Sequence, residues 1–288
     1  MGKQGILIIG VFGFLGLSFS ILNYSEDPET TIKPEIPLSQ ISRPLANTVW
    51  HWEDDFTNQE TYQIKNWLAK VNKAVISTLG NYPFKTHFYI HRSTKGNEPV
   101  PWAHTSRSKK QGVHFHISMD YNEDEFLKDW TAPHEISHLS IPFVGSENSW
   151  FSEGYATFMQ YQIMETQGVL TALEVEDKYV SRVSECKASY QTNLPFPEAS
   201  DSLKKVWNYP DMYWGGVSFF WKLDKAYQRS IGKRLTSVIK MYVNCCRVNE
   251  SSPRELCNKL DELTETKLAS NLLTQYETEP SYLIFEGM

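Results

Sequence analysis

Two histidines four residues apart constrain the fold of this chain more than any other feature. His134 and His138 belong to the segment HEISH. On an α-helix, residues at this spacing lie one turn apart on the same face, so both imidazoles can bind one metal ion. Glu135 lies between them, where its carboxylate can take a proton from a water molecule. The spacing therefore predicts a helix that carries a metal site.

A second helix predicted just downstream carries a third candidate ligand. Pro133 suits the first turn of a helix, so the HEISH helix is expected within residues 131–141. The next helix is expected over residues 152–167, with Gly168 as its C-terminal stop and Glu153 in its first turn. When the intervening loop folds the two helices together, the histidines and Glu153 form a three-ligand site. Its open fourth position for water is typical of catalytic zinc.

The rest of the chain shows two kinds of periodicity. Apolar residues recur at intervals of three and four over residues 56–79, which predicts an amphipathic helix. Apolar and polar residues alternate over 87–91 and 113–118, which predicts two half-buried strands. Beyond them the pattern is helical. The sequence therefore predicts an α+β fold, with a small sheet region followed by a mainly helical region.

His114 and His116 lie on one face of the second predicted strand. Two interpretations remain open for them. They form the polar face of a half-buried strand. Alternatively, the strand borders the site and they contact a peptide that is added to the sheet as an extra strand.

The N-terminal residues predict export. Residues 5–22 are eighteen positions without a charge, preceded by Lys3 and followed by acidic residues. We expect residues 1–23 to be a signal peptide or an N-terminal membrane anchor, 24–47 a linker, and 48–288 the folded domain. The domain is then membrane-anchored and faces outside the cytoplasm, or is periplasmic or secreted after cleavage. A cytosolic hydrolase is the alternative if residues 5–22 are not a targeting segment.

Export places the four cysteines in an oxidising compartment, where disulfides form and persist. We expect at least one bond, in which Cys245 or Cys246 pairs with Cys257 and ties two neighbouring C-terminal helices. A cysteine-based zinc site is not expected, because the sequence lacks paired C-x-x-C spacing.

Two segments resemble gluzincin metallopeptidases, the class that contains thermolysin and the zinc aminopeptidases. WFSEGYAT, at 150–157, resembles the W-x-x-E-G-F/Y-A segment that supplies their third zinc ligand. YWGGVSFFWKLD, at 213–224, resembles a Y-x-x-G segment whose tyrosine steadies the tetrahedral intermediate in aminopeptidases. The resemblance covers about residues 50–276. It implies a thermolysin- or zincin-like domain, with a small mixed-sheet lobe, a mainly helical lobe and the active-site cleft between them.

The resemblance also implies one Zn²⁺ ion on His134, His138 and Glu153, with Glu135 as the general base. A water molecule attacks the polarised carbonyl, and Glu135 passes the water's proton to the leaving amine. Tyr213 is either the donor to the oxyanion or a core aromatic that precedes an amphipathic helix.

Two departures from the aminopeptidase pattern bear on the substrate. Glu153 follows His138 more closely than that pattern requires, and no G-x-M-E-N segment is present to bind a free amine; the nearest stretch, SMDYN at 118–122, lacks the glycine. The predicted function is therefore endopeptidase cleavage of a peptide or protein substrate. An aminopeptidase and a zinc-loaded, non-proteolytic interaction domain are the alternatives, and the intact Glu135 argues against the second. A net charge of −6 without a long basic run excludes nucleic acid as a partner.

Overall fold

A four-stranded mixed sheet forms the first part of the fold in a computed structural model that describes residues 47–94, 96–107 and 109–286. The strands are β1 (Thr48–Trp52), β2 (Thr86–Arg92), β3 (Trp102–Arg107) and β4 (Gln111–Ile117), with helix α1 (Asn58–Leu79) between β1 and β2. Their order in the sheet is β1-β2-β4-β3. β1 pairs with β2, and β2 with β4, in parallel, whereas β3 runs antiparallel to β4. This topology makes β3 an edge strand.

Helix α1 covers one face of this sheet. It begins with a capping box, in which Thr57 and Glu60 each bind the other's backbone N–H, and it ends at Gly80, whose φ is 90°. Its buried Trp67 contacts Phe115 of β4 with ring centroids 5.9 Å apart. The helix predicted over 56–79 is confirmed, because its apolar positions form the stripe that packs on the sheet.

The remainder of the described chain is helical, so the predicted order of a mixed sheet followed by helices is confirmed. The helices are α2 (Glu123–Lys128), α3 (Thr131–His138), α4 (Ser149–Gln167), α5 (Ala172–Cys186), α6 (Phe196–Lys205), α7 (Tyr209–Ile231), α8 (Leu235–Cys245), α9 (Pro253–Thr264), α10 (Leu268–Thr278) and α11 (Ser281–Ile284). Sheet and helices share one hydrophobic core. The division into two lobes with a cleft between them stays a prediction.

Two of the four strands were expected from the sequence. β2 and β4 are the predicted strands, whereas β1 and β3 were not predicted. β1 is only five residues long, and β3 is polar, with none of its six residues buried. Strands of this kind form because a neighbour offers backbone hydrogen bonds, which leaves little alternating hydrophobicity for a sequence to display.

Helices α4 and α7 cross at unusually close range. A Cβ built on Gly154 of α4 would lie 2.4 Å from the carbonyl carbon of Gly216, and one built on Gly216 of α7 would lie 2.0 Å from the carbonyl oxygen of Trp150. Only glycine fits on both sides of such a contact. The crossing brings Glu153, adjacent to Gly154, close to Tyr213, one helical turn before Gly216.

The disulfide differs from the expected one. Cys245 bonds to Cys246, its neighbour in sequence, whereas Cys186 and Cys257 are free and buried. The predicted bond to Cys257 is therefore wrong. Cys257 points into the core from α9, whereas Cys245 is at the exposed end of α8, so the two sulfurs face different surroundings.

The predicted N-terminal segment, 1–23, and all but the last residue of the predicted linker, 24–47, lie outside the described residues. Within the described part of the chain, no helix is both long enough and apolar enough to cross a membrane.

Candidate metal centre

Helix α3 presents the two histidines to α4, as the spacing predicted. His134 and His138 are buried, at 3% and 6% exposure. Their Nε2 atoms lie 3.2 and 3.5 Å from the same oxygen, Oε2 of Glu153 in the second turn of α4. A tetrahedral metal with ligands at about 2.0–2.1 Å holds neighbouring ligand atoms about 3.3 Å apart. Both distances to Glu153 therefore match the spacing of a zinc site, and the ligand atoms of all three residues lie within 4.8 Å of one another.

Gln160 orients the first of these histidines. Its Oε1 lies 2.8 Å from Nδ1 of His134, and both side chains are buried. An amide oxygen can only accept, so Nδ1 carries a proton and donates it to Gln160, and Nε2, which faces Glu153, is the nitrogen available to a metal ion. Sequence reasoning missed Gln160. Its signal was the interval of seven residues from Glu153, which places the two side chains on the same face of α4.

Glu135 lies beside the three donors and is held by the edge strand. Oγ1 of Thr105, on β3, is 2.8 Å from the carbonyl oxygen of Glu135 and 2.9 Å from its carboxylate Oε2. A hydroxyl has one proton, so Thr105 donates to one of these oxygens at a time. Thr105 thus orients a carboxylate that is only half-buried. Its second oxygen, Oε1, has no described hydrogen-bond partner and is available to accept a proton.

The charges of the site are strongly coupled. Burial alone would raise the pKa of Glu153, but the imidazoles of His138 and His134 outweigh it and hold that pKa far below its usual range. Burial likewise acts to lower the pKa of His134, and the hydrogen bond to Glu153 reverses the effect, so its pKa is raised. Each group stabilises the other's charged form. A carboxylate that stays ionised is the form that binds a cation.

Tyr213, at the start of α7, borders the same site. Its ring stacks on His134 with centroids 6.2 Å apart and an interplanar angle of 19°. Burial, followed by the charges of Glu153 and Glu135, raises its pKa well above the ordinary value for tyrosine. The phenol therefore keeps its proton at neutral pH and remains a hydrogen-bond donor. Its role as an oxyanion donor stays a prediction.

Two arginines bind backbone carbonyls at the C-terminal end of α3. The guanidinium of Arg107, on β3, donates to the carbonyl oxygens of His138 at 2.6 Å and Ile141 at 2.8 Å. Arg247 donates to the carbonyl of Leu139 at 3.1 Å. Burial and the charge of Arg247 lower the pKa of Arg107 to about 10, so it is still protonated at neutral pH. Cations at a helix C-terminus stabilise its unpaired carbonyls. No local sequence pattern predicts that either arginine binds the end of α3.

His114 and His116 do not border this centre. β4 lies between β2 and β3, so the interpretation in which its strand is the edge that receives a peptide is wrong. They belong to the polar face of the sheet. Burial and neighbouring imidazoles lower the pKa of His114 to about 4, so it is neutral at pH 7.

Comparison with known proteins gives partial likenesses. No protein-family model matches the chain, and no curated protein matches it. An M1 zinc metallopeptidase mutant from Deinococcus radiodurans, bound to a Tyr-Ser-Ala substrate, is 14% identical at a TM-score of 0.48, covering 79% of this chain and 46% of its own. A two-domain M1 zinc metallopeptidase mutant bound to L-arginine is 13% identical at a TM-score of 0.49, covering 81% of this chain and 49% of its own. The chain spans about half the length of these solved structures.

Proposed function

We propose that this protein is a zinc-dependent peptidase. The observation that carries the proposal is the convergence of His134, His138 and Glu153, whose ligand atoms lie within 4.8 Å of one another, beside Glu135. Two imidazoles and a carboxylate, with the fourth position open, are the donor set of catalytic zinc in peptidases. Zinc held by these residues would supply Lewis acidity, which would polarise a substrate carbonyl and lower the pKa of water.

Glu135 is the proposed proton carrier. Its carboxylate takes the proton of the attacking water and returns it to the nitrogen of the leaving amine. Thr105 steers this carboxylate by offering a hydrogen bond to Oε2 or to the backbone carbonyl. Tyr213, which keeps its phenolic proton, is the proposed donor to the developing oxyanion.

The edge strand is the proposed binding site for the peptide backbone. In the described part of the chain, one side of β3 pairs with β4 and no strand pairs with its other side. Thr105 of β3 contacts Glu135, so a peptide that adds to this edge in extended form passes beside the proposed base. Backbone pairing extends on both sides of the scissile bond, which favours internal cleavage. We therefore propose an endopeptidase, with aminopeptidase activity as the alternative.

Export of the domain is part of the same proposal and is supported by residues 5–22. Their uncharged, apolar composition suits a signal peptide or an anchor that leaves residues 48–288 outside the cytoplasm. Fractionation of cells that express the full-length chain tests it. We expect the protein in the membrane or exported fraction, whereas recovery only in the cytosol would contradict export.

The mechanism is tested with Glu135→Gln in the full-length chain, compared with Glu262→Gln, a matched change at an exposed glutamate on α9. Glu135→Gln should keep its zinc and fold and lose about 10²–10⁴-fold in cleavage of a mixed peptide library, because it removes a proton carrier and no ligand. Glu262→Gln should cleave like the parent. Undiminished cleavage by Glu135→Gln would reject the mechanism. A parent that binds peptides and cleaves none would support the interaction domain instead.

The endopeptidase assignment has its own test. Acetylation of a substrate's N-terminus removes the charge that an aminopeptidase must recognise and leaves the backbone contacts of an extended peptide unchanged. Acetylated and free forms of a good substrate should be cut at similar rates, away from the first residue. Release of single N-terminal residues, abolished by acetylation, would show an aminopeptidase.

A further inference from the structure

Six of the chain's eight histidines lie on one face of the sheet. The opposite face, under α1, is apolar and fully buried at Phe88, Val113 and Phe115. Because side chains alternate along a strand, the residues between them point the other way. We call this second face the histidine face; it consists of His51, His87, Tyr89, His91, Trp102, His104, His114 and His116.

Two pairs of imidazoles on this face approach each other through ring nitrogens. Nε2 of His51 is 2.8 Å from Nδ1 of His87, and Nε2 of His91 is 3.1 Å from Nδ1 of His114. Both pairs bridge neighbouring parallel strands along the same diagonal of the sheet. In a neutral pair one nitrogen donates and the other accepts, so each pair is satisfied by a single shared proton. A metal ion bound to both nitrogens would displace that proton and lie to one side of the line that joins them.

The second pair has the better geometry for a metal ion. Two nitrogens at about 2.0–2.1 Å from a tetrahedral ion lie about 3.3 Å apart, so the 3.1 Å separation of the His91–His114 pair requires little movement. Stacked rings limit the rotation of both imidazoles. His116 stacks on His91 with centroids 4.4 Å apart, and Tyr89 stacks on His114 at 4.2 Å.

The two histidine pairs also differ in the charged groups around them. Burial and then the neighbouring His51 lower the pKa of His87, and the charges of Lys110 and Lys85 add to this effect; the same two cations repel a metal ion from the first pair. Glu53 acts in the opposite direction on His114, although burial and imidazole neighbours dominate there. The electrostatic environment of the second pair is therefore the more favourable one for a cation.

We infer that His91 and His114 form a second metal site, which binds a late divalent transition-metal ion on the histidine face. Imidazole nitrogen suits Zn²⁺, Ni²⁺ and Cu²⁺, and affinity in such a site follows the order that places Cu²⁺ highest. In the described part of the chain, three donors converge only at His134, His138 and Glu153. The ion on the histidine face thus keeps solvent ligands and exchanges readily, unlike an ion held by three side chains.

Copper binding by the full-length chain tests this site. In a parent that carries His134→Ala and His138→Ala, the histidine face remains intact while the centre on α3 has lost two ligands. Titration with Cu²⁺, followed by electron paramagnetic resonance, should show one copper per chain with splitting from two imidazole nitrogens. The wild-type chain should bind a further copper at the centre on α3, two per chain in all, and this stoichiometry covers the case in which the double variant does not fold.

Paired substitutions locate the ion. His91→Phe with His114→Phe keeps two planar rings in the stack, removes all four nitrogens, and should abolish the two-nitrogen signal. The matched control is His51→Phe with His87→Phe, which should keep it. A copper signal that survives the first pair of changes, or is lost equally in the control, would overturn the site. Because the parent lacks two ligands of the proposed catalytic zinc, failure here is distinguishable from failure of the proposed peptidase activity.

Discussion

The close crossing of α4 and α7 makes Gly216→Ala a sharp test of how the centre is assembled. The new Cβ would lie 2.0 Å from the carbonyl oxygen of Trp150, about 1.4 Å short of ordinary contact, and 2.8 Å from Cα of Gly154. Both obstacles are backbone atoms, so the two helices must move apart. Overpacking costs about 1–3 kcal/mol, and rigid backbone on both sides puts this change at about 2–3 kcal/mol, whereas alanine regains about 1 kcal/mol of helix propensity. We expect a net loss of about 1–2 kcal/mol in the free energy of unfolding.

Thermal and urea unfolding measure this loss. For a domain of this size, each kcal/mol corresponds to a fall of roughly 2–4 °C in Tm. Ser230→Ala is the control, since Ser230 is exposed on the same helix and its substitution gains propensity without a clash. Separation of the helices should also reduce turnover, because Tyr213 lies one turn from Gly216 and Glu153 adjoins Gly154. A Gly216→Ala protein as stable as the parent would refute the close contact.

Three further changes have defined outcomes. Thr105→Val should keep the bound zinc and lower turnover, whereas Thr105→Ser should restore it, because the hydroxyl steers Glu135; equal turnover in all three proteins would contradict that role. Gln160→Leu should weaken zinc binding about 10–100-fold in a chelator competition, because it removes the partner of an imidazole ligand, and unchanged affinity would reject the orienting bond. Burial raises the pKa of Asp129 to about 6, above the ordinary 3.8, so the folded state favours the protonated carboxyl. The stability that this protonated group contributes is fully present below pH 3.8 and is lost as pH rises through 6. Asp129→Asn should remove that loss, about 2 kcal/mol at pH 7 relative to pH 4, in urea unfolding across this range; identical pH profiles for the two proteins would contradict it.

The sequence predicted the parts of the site that depend on local spacing. The interval between His134 and His138 requires a helix, and Gly168 ends the next one, as predicted. That helix begins at Ser149 and not at 152, so Glu153 lies in its second turn and not in its first. These signals are local because helix periodicity and caps depend on residues within a few positions of one another.

The supporting residues depend on tertiary contacts and could not be predicted in the same way. Thr105 and Arg107 act from β3, a strand whose polar sequence gives no alternating pattern. They reach α3 only because β3 occupies the edge of the sheet. Cys257 is a case in which a short interval in sequence misled the prediction. It is near Cys246 in sequence, which suggested a disulfide, but its side chain is buried on α9 and remains a free thiol. Packing direction follows from the whole fold and not from the interval between residues.

Metal analysis with X-ray absorption tests the central claim most directly. The full-length chain, washed with a weak chelator to remove exchangeable ions, should retain one zinc per chain, coordinated by two imidazole nitrogens and carboxylate oxygen. Glu153→Ala should lose that zinc under the same wash, because two imidazoles alone hold an ion weakly. A wild-type chain that retains no zinc, or a Glu153→Ala chain that retains it with unchanged coordination, would contradict the assignment of His134, His138 and Glu153 as the metal centre.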